Sequence, residues 1–407
     1  MKHFEVPLGY RSSLISAIKE KRKADDKLKK DTQPTLLDLG NLKIYLARHF
    51  GFCYGVENAI EIAYRTIESN PGKRIFLLSE MIHNPQVNAD LLEKGVRFLQ
   101  DTNGKELISL ETITKEDIVM IPAFGTTIEM EKKLNGMGIQ VQQYNTTCPF
   151  VEKVWNRSEQ IAKKGYSIVI HGKPKHEETR ATFSHAALHS PTIIVNDMED
   201  TIQLGKVISG ELPHSFFFSY FKGKYSVNFN PAIDLEKFGV VNQTTQLASD
   251  TQSISDYLKN VMVTKYGETK LPEHFADTRD TLCYATNDNQ TAVNSLLEIP
   301  ANIAFVMGGN NSSNSSHLVE LCENKLPTYF IDGPEKLIDA NTVLHTHWRN
   351  KEQVIIKNYL PTQQPTTILM TSGASCPDTV VEAVIRQIAE YYQVSDALKA
   401  LEAKWIH

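Results

Sequence analysis

Three times along the chain a cysteine ends an apolar run and opens the same succession of elements, and this internal repeat constrains the fold more than any single motif does. Cys53, in Gly51-Phe52-Cys53-Tyr54-Gly55, leads into a helical stretch over 55–64, an apolar strand over 74–78 and the polar loop His83-Asn84-Pro85. Cys148 precedes Pro149, a residue favoured at the first helical position, then a helix to Lys164, a strand over 167–171 and a loop around His176-Glu177-Glu178. Cys283 opens a helix to about Leu297, a strand over 303–307 and the loop Gly308-Gly309-Asn310-Asn311-Ser312-Ser313-Asn314. Each copy continues through a helix into a short strand, at 96–99, 193–195 and 329–331, and closes with a strand-to-helix turn ending at Thr127, Thr245 or Ser375.

Strands alternating with helices call for parallel sheets with right-handed crossovers, whose ligands gather beyond the carboxyl ends of the strands. All these polar loops fall at such ends. The expected fold is α/β: three small similar α/β domains with mainly parallel sheets around a pseudo-threefold axis, their cysteines and loops facing one central cavity. The boundaries that follow are an N-terminal extension over 1–40, domains over 41–148, 149–282 and 283–392, and a tail over 393–407. A strand over 42–48 is placed so that it could pair with the third domain. Residues 20–30 form a mixed-charge run, most simply a solvated helix. The aromatic segment over 210–237, with Phe216, Phe217, Phe218, Tyr220 and Phe221, interrupts the second copy and reads as an added hairpin.

A chain of 407 residues, 41% hydrophobic and 22% charged, has ample apolar surface for a core and no run long enough to cross a bilayer. A net charge of −5 gives no general reason for nucleic acid or an anionic membrane as partner, so any bound anion must be met locally. Five cysteines, spread thinly behind an N-terminus unlike a signal peptide, argue for a reducing compartment, and the acids in the first 40 residues argue against an organelle transit peptide. A cytoplasmic protein is expected.

A cysteine at a helix start faces unpaired N–H groups and the positive end of the dipole, which lowers its thiol pKa and favours the thiolate that metals need. Zinc would take ligands in close pairs, and no Cys-x-x-Cys occurs here. Single cysteines far apart in sequence suit an iron–sulfur cluster, with three thiolates leaving one iron open. Cys322 reads as a buried apolar residue and Cys376 as a neighbour of the site without ligation. The loops add His83, His176, Ser312, Ser313, Asn314 and Ser375, which suit an anion such as phosphate: serine, asparagine and helix-start N–H groups bind its oxygens and histidines add positive charge. Small hydroxyl residues before helices are also ordinary helix caps. Glu178 is the acid near the site, with Thr244 able to relay a proton.

Taken in order, Gly51-Phe52-Cys53-Tyr54-Gly55-Val56, His83-Asn84, Thr147-Cys148-Pro149, His176-Glu177-Glu178, Gln243-Thr244-Thr245, Cys283-Tyr284-Ala285-Thr286, Asn311-Ser312-Ser313-Asn314-Ser315 and Ser372-Gly373-Ala374-Ser375 resemble the 4-hydroxy-3-methylbut-2-enyl diphosphate reductase family. Pro122-Ala123-Phe124-Gly125, His171-Gly172-Lys173 and Gly308-Gly309-Asn310 look most like its longer, plastid-type branch. The resemblance implies an iron–sulfur oxidoreductase that removes the hydroxyl of an allylic diphosphate, giving isopentenyl and dimethylallyl diphosphate in the last step of the non-mevalonate route of isoprenoid biosynthesis. By it, Cys53, Cys148 and Cys283 hold one 4Fe-4S cluster whose open iron meets the substrate hydroxyl. His83, His176, Ser312, Asn314 and Ser375 grip the diphosphate, with Ser313 close by. Glu178 supplies protons, with Thr244 beside the hydroxyl, and the electrons come from a ferredoxin or flavodoxin. The chain departs from the shorter bacterial members at Phe124, where they carry a third clamp histidine, and at Asn242, where they often have threonine. Two rival readings are quinolinate synthase, whose substrate is a carboxylic acid, and a non-enzymatic iron–sulfur sensor of a diphosphate.

Overall fold

The computed structural model describes residues 4–26, 30–276, 278 and 281–406. Two strands, β1 (Thr35–Asp38) and β2 (Leu42–Leu46), precede the repeat. The segment after Cys53 contributes β3 (Ile75–Leu77), β4 (Arg97–Phe98) and β5 (Ile118–Met120). The segment after Cys148 contributes β6 (Ser167–His171), β7 (Thr192–Val195), β8 (Phe238–Asn242) and β9 (Phe275–Ala276). After Cys283 come β10 (Ile303–Met307), β11 (Thr328–Ile331), the three strands β12 (Leu337–Asp339), β13 (Thr342–Thr346) and β14 (Gln353–Lys357), and finally β15 (Thr366–Ser372).

The expected α/β class with mainly parallel sheets is what the chain forms. In all three parallel sheets the first strand of the segment is central, flanked by the second on one side and the third on the other: β4-β3-β5, β7-β6-β8 and β11-β10-β15. Every one of those pairings is parallel. The 2-1-3 order puts a topological switch beside the first strand, so the loops after the first and third strands open a crevice at their carboxyl ends. Those are the loops that carry the polar motifs. β2 extends the third sheet in parallel beside β15, and β1 closes its edge antiparallel.

The central strands are buried along their whole length, which is why they read as unbroken apolar runs rather than alternations. Alternate residues nonetheless feed different cores. Val169, Ile193, Val195 and Val240 pack with one cluster, Ile168, Ile170, Ile194 and Val241 with another. Helices supply the opposing faces at spacings of three and four, as Val380, Val381, Val384, Ile385 and Ile388 do from the helix Asp378–Tyr391. No helix among the described residues is long and apolar enough to cross a membrane.

The chain divides into two compact units. One holds the residues up to Glu61, Ile82–Ala89 and those from Tyr284 onward; the other holds Ile62–Met81 and Asp90–Cys283. In the first, the helix Ser13–Asp25 buries Leu14, Ile15 and Ile18 while most of 20–25 stays in solvent, as the charge run requires. Residues 27–29 of that run lie outside the described residues.

The hairpin expected over 210–237 is corrected. The segment forms the helices His214–Tyr220 and Pro231–Asp234. Phe217 and Phe221, four residues apart and therefore on one helical face, are both fully buried, with Phe229 stacked on Phe217 at 5.1 Å. The antiparallel trio β12-β13-β14 is not among the elements that the sequence pattern predicts.

Candidate active site

In the unit that contains β6 and β8, the site grows from two strand ends. β6 runs into Gly172, where a Cβ would lie 2.7 Å from Thr179 Oγ1 and 3.0 Å from Gln243 Cβ, so only glycine lets the two loops approach. Gln243, fully buried, ties them together: its Oε1 accepts from Lys173 N at 3.1 Å, Thr179 Oγ1 at 3.0 Å and Gln246 Nε2 at 3.0 Å. Its Nε2 donates to Thr245 Oγ1 at 2.9 Å. Sequence alone assigns Gln243 no role; in the fold it holds Thr244 in register with the next helix.

That helix, Glu177–Ala187, is capped by His176, whose Nδ1 accepts from Glu178 N at 3.2 Å. A backbone N–H can only donate, so the ring carries its proton on Nε2 and acts as a neutral donor. The positive charge expected of His176 is corrected on that ground. From the first turn the Glu178 carboxylate reaches back to Thr244, accepting from its N–H at 2.5 Å and its hydroxyl at 3.0 Å, with both residues buried. Thr244 O in turn accepts the N–H of Cys283 at 3.1 Å.

Cys148 caps the helix Pro149–Ala162 by position, with Pro149 at the first helical place, but its thiol makes no cap bond. Its N–H donates to Ala123 O at 2.9 Å, in the turn after β5. Phe124, next in that turn, sets its ring edge-on to His176 with centroids 5.7 Å apart. Thr127 accepts from Met130 N at 3.3 Å and is the cap of the helix Ile128–Gly136. Thr245 and Ser375 cap nothing; the following helices have Leu247 and Pro377 at their cap positions.

In the other unit, Gly51 has φ +79°, the left-handed backbone that favours glycine, and a Cβ there would displace Asp378 Oδ1 and Lys19 Nζ, 2.5 and 2.7 Å away. This turn delivers Cys53 to the start of the helix Tyr54–Ser69, where its N–H donates to Ala374 O at 3.1 Å. The helix start alone predicts a lowered thiol pKa. Burial instead pushes Cys53 up, while the N–H groups of Val56 and Gly55 pull the other way, so desolvation outweighs the helix terminus in the metal-free chain. Cys322 and Cys376 are buried and pushed up to about 12, as suits inert core thiols.

Beyond β10, Ser312 caps the helix Ser313–Glu323, its oxygen accepting from Ser315 N at 3.2 Å and Ser315 Oγ at 3.1 Å. A Cβ on Gly308 or Gly373 would collide with Ser315 Oγ, so two glycines clear space around this cap. Asn314 turns Oδ1 to Ala374 N at 2.9 Å and Asn289 Nδ2 at 3.3 Å, while its own Nδ2 is buried with no partner. A buried amide donor left open marks a place for an acceptor from outside the chain. Ser375 donates to His83 O at 3.1 Å, and Gly309 packs against that carbonyl with no room for a Cβ. The helix-start residue Ser313 is buried beside them.

Cys53, His83, Ser312, Ser313, Asn314 and Ser375 thus belong to one unit, and Cys148, His176, Glu178, Thr244 and Cys283 to the other. Among the described residues no three His, Cys, Asp or Glu side chains gather closely enough to hold a metal ion. None of the five cysteines forms a disulfide.

The family model described as "LytB protein" matches residues 44–389. A 4-hydroxy-3-methylbut-2-enyl diphosphate reductase of Synechococcus sp. is 38% identical over 93% of this chain and 90% of its own length. The chain belongs to the LytB family. The family reductase of Prochlorococcus marinus is 37% identical over 94% of this chain and 91% of its own. Among solved structures, the E-1-hydroxy-2-methyl-but-2-enyl-4-diphosphate reductase of Plasmodium falciparum matches with a TM-score of 0.61 at 22% identity, covering 85% of this chain and 87% of that one, a likeness of fold. The stretch matched to the LytB family contains every residue of the candidate site, from Cys53 to Ser375.

Proposed function

We propose that the chain is an iron–sulfur oxidoreductase that reductively dehydroxylates (E)-4-hydroxy-3-methylbut-2-enyl diphosphate to isopentenyl and dimethylallyl diphosphate, the last step of the non-mevalonate isoprenoid route. The observation that carries the site reading is a hydrogen bond made three times. The N–H groups of Cys53, Cys148 and Cys283 donate to Ala374, Ala123 and Thr244, at 3.1, 2.9 and 3.1 Å, each acceptor in the loop after the third strand of a sheet. Three half-buried thiols at helix starts, held alike and none oxidised to a disulfide, fit a Cys₃-ligated 4Fe-4S cluster on a pseudo-threefold plan. When bound, such a cluster supplies electrons and Lewis-acid chemistry at an open iron.

The overall change takes two electrons and two protons, breaks the C4–O bond, releases water and forms one C–H bond at either end of the allylic system. The protein's share is protons and placement. Both Thr244 bonds orient Glu178, which supports its role here as the group that passes a proton to the departing hydroxyl or the allylic carbon. The Thr244 hydroxyl shares that position and can exchange its bond between Glu178 and a substrate hydroxyl. His176 Nε2–H, Ser312, Asn314 Nδ2 and the N–H groups opening the helix Ser313–Glu323 supply donors of the kind diphosphate oxygens need, with His83 and Ser313 completing the clamp and Ser375 joining it by exchanging its bond to His83 O for one to the ligand. Phe124 offers no donor, so this turn adds no histidine to the clamp.

A cytoplasmic location and a ferredoxin- or flavodoxin-type electron donor complete the proposal. It is tested with full-length protein reconstituted with iron and sulfide under anaerobic conditions and reduced with dithionite. Formation of both five-carbon diphosphates is expected; tight substrate binding without product would establish the sensor reading instead.

A further inference from the structure

The turn after β5, Ala123-Phe124-Gly125-Thr126, rests on a stacked pair of rings that lies outside the donor set of the proposed site. Trp155, from the helix Pro149–Ala162, and His185, from the helix Glu177–Ala187, lie face to face with centroids 3.6 Å apart and planes 10° from parallel. Gly125 has φ +76°, and a Cβ there would sit 2.5 Å from the indole, so the turn's backbone lies directly on Trp155. The indole is itself fixed, its Nε1–H donating to Thr182 Oγ1 at 3.1 Å. His185 Nε2 lies 3.2 Å from Thr126 O, and since a carbonyl only accepts, Nε2 carries the proton. Burial keeps that imidazole below its ordinary pKa and therefore neutral, which suits a ring stacked on an indole. One residue further on, Ile128 N–H donates to Ser184 Oγ at 2.9 Å, so the same helix holds the turn at its exit.

The other side of the turn faces the proposed chemistry. Ala123 O accepts the N–H of Cys148, and Phe124 packs edge-on against the imidazole of His176, whose Nδ1 is occupied by Glu178 N–H. A ring with one nitrogen pinned still tilts about that bond unless something bears on its face. Phe124 is one such contact, and Gly125 and Thr126, which follow it in the turn, are held from behind by the stacked pair.

We infer that Trp155 and His185 are positioning residues that, through the Phe124 turn, aim His176 Nε2–H at the anionic end of a diphosphate ligand. The inference rests on the diphosphate reading of the site. Phe124 thereby gains a function of its own, since a ring with no donor to offer still fixes the direction of the neighbouring one. A side chain at 155 with no ring to bear on Gly125 would let the turn settle, shift Phe124 and misdirect the histidine, without touching the carboxylate of Glu178.

The test uses anaerobically reconstituted holoenzyme and its Trp155→Ala, Trp155→Phe and His185→Gln variants, with inorganic pyrophosphate as the binding probe by calorimetry and substrate turnover beside it. Losing one well-aimed bond to an anion corresponds to about a tenfold rise in the pyrophosphate Kd and in KM for Trp155→Ala, with kcat changing by less than about threefold. Trp155→Phe, which keeps a ring under Gly125, is expected within about threefold of the parent in Kd, and His185→Gln between the two variants, in line with partial loss of one contact. Folded Trp155→Ala protein with unchanged Kd and KM overturns the inference, as does a fall in kcat with Kd unmoved. If Trp155→Ala does not fold, His185→Gln decides by the same criterion. Failure of the unaltered enzyme to bind pyrophosphate would remove the diphosphate reading and this inference together, whereas normal binding by parent and variants alike removes the inference alone.

Discussion

Glu178→Gln separates proton delivery from architecture more cleanly than any other substitution in the chain. The carboxylate is buried, and Thr244 donates to it twice, at 2.5 and 3.0 Å. Glutamine is nearly isosteric: its carbonyl oxygen can keep the Thr244 N–H, and the Thr244 hydroxyl, which can accept as well as donate, turns to receive the amide N–H. Both bonds survive, so stability should change by less than about 1 kcal/mol, the net worth of one ordinary hydrogen bond. Alanine would be a poorer choice, because it strands a buried backbone N–H at a cost of about 1–3 kcal/mol and so mixes folding with chemistry. The amide cannot give up a proton as a carboxylic acid does, and a positioned acid is worth about 10²–10⁴ in rate. The expectation is therefore dithionite-driven turnover lowered by roughly that factor, with pyrophosphate affinity and visible cluster absorbance near the parent values. Turnover within about threefold of the parent, in a variant whose thermal denaturation is unchanged, would take Glu178 out of the mechanism, since that is far below the worth of general acid catalysis.

Cys53→Ser, Cys148→Ser and Cys283→Ser should each lose the visible absorbance of the reconstituted cluster and most of its iron; full absorbance in all three would end the ligand assignment. Asn314→Asp keeps the oxygen that accepts from Ala374 N and Asn289 Nδ2 but replaces the open Nδ2 with a second oxygen. Exchange of a donor for a repelling charge beside an anion should weaken pyrophosphate binding by on the order of 100-fold while the fold persists, and unaltered binding would place the diphosphate elsewhere. Acid stability has a separate source in His345, buried, accepting Phe330 N–H on Nδ1 at 3.0 Å, and lowered to about 4 by burial and then by the neighbouring charge of His347. A depressed histidine pKa means that the unfolded chain takes up the proton first, so stability is complete above pH of about 6.5 and is lost as pH falls toward about 4, by up to roughly 3 kcal/mol. His345→Gln should flatten that fall in urea titrations at pH 7 and pH 4.5; an equal fall in both proteins would refute the assignment.

What the sequence displays and what it hides divide along sequence distance. The strands over 167–171 and 303–307 are where the apolar runs put them, because a strand buried on both faces needs no partner to be recognised. The 2-1-3 strand order is not readable, since it depends on pairings such as β10 with β15 that join residues 65 apart, Ile303 with Ile368. Phe217 and Phe221 hide a helix, because a dense aromatic run satisfies strand and helix patterns equally and only the four-residue spacing decides between them. Glu178 and Thr244 can be named as acid and relay, yet nothing local announces that both Thr244 donors converge on that one carboxylate. The tie made by Gln243 and the Trp155–His185 stack escape altogether: Gln243 stands in a motif that assigns it no role, a tryptophan on a helix stands in none, and what both do exists only once distant loops meet.

The protonation states expected of the site shift for a related reason. Helix-start geometry suggests an acidified thiol at Cys53, and loop position suggests a cationic imidazole at His176, since both arguments look only at neighbours in sequence. Tertiary burial raises the first, and the cap bond from Glu178 N–H fixes the second as a neutral donor. Hydroxyls sort in the same way. Thr127 accepts for its helix, and Ser375 directs its proton to His83 O. Ser312 accepts twice, from Ser315 N and Oγ, and so keeps its own proton to give; Asn314 keeps an amide N–H pair. Two turns that look equivalent in sequence therefore differ in what they can offer, and the donors ready for an anion collect at the start of the helix Ser313–Glu323, where the backbone N–H groups already point the same way. An anion placed there meets the open Asn314 amide and the helix-start N–H groups, and such pairing is the condition under which burying a diphosphate becomes favourable.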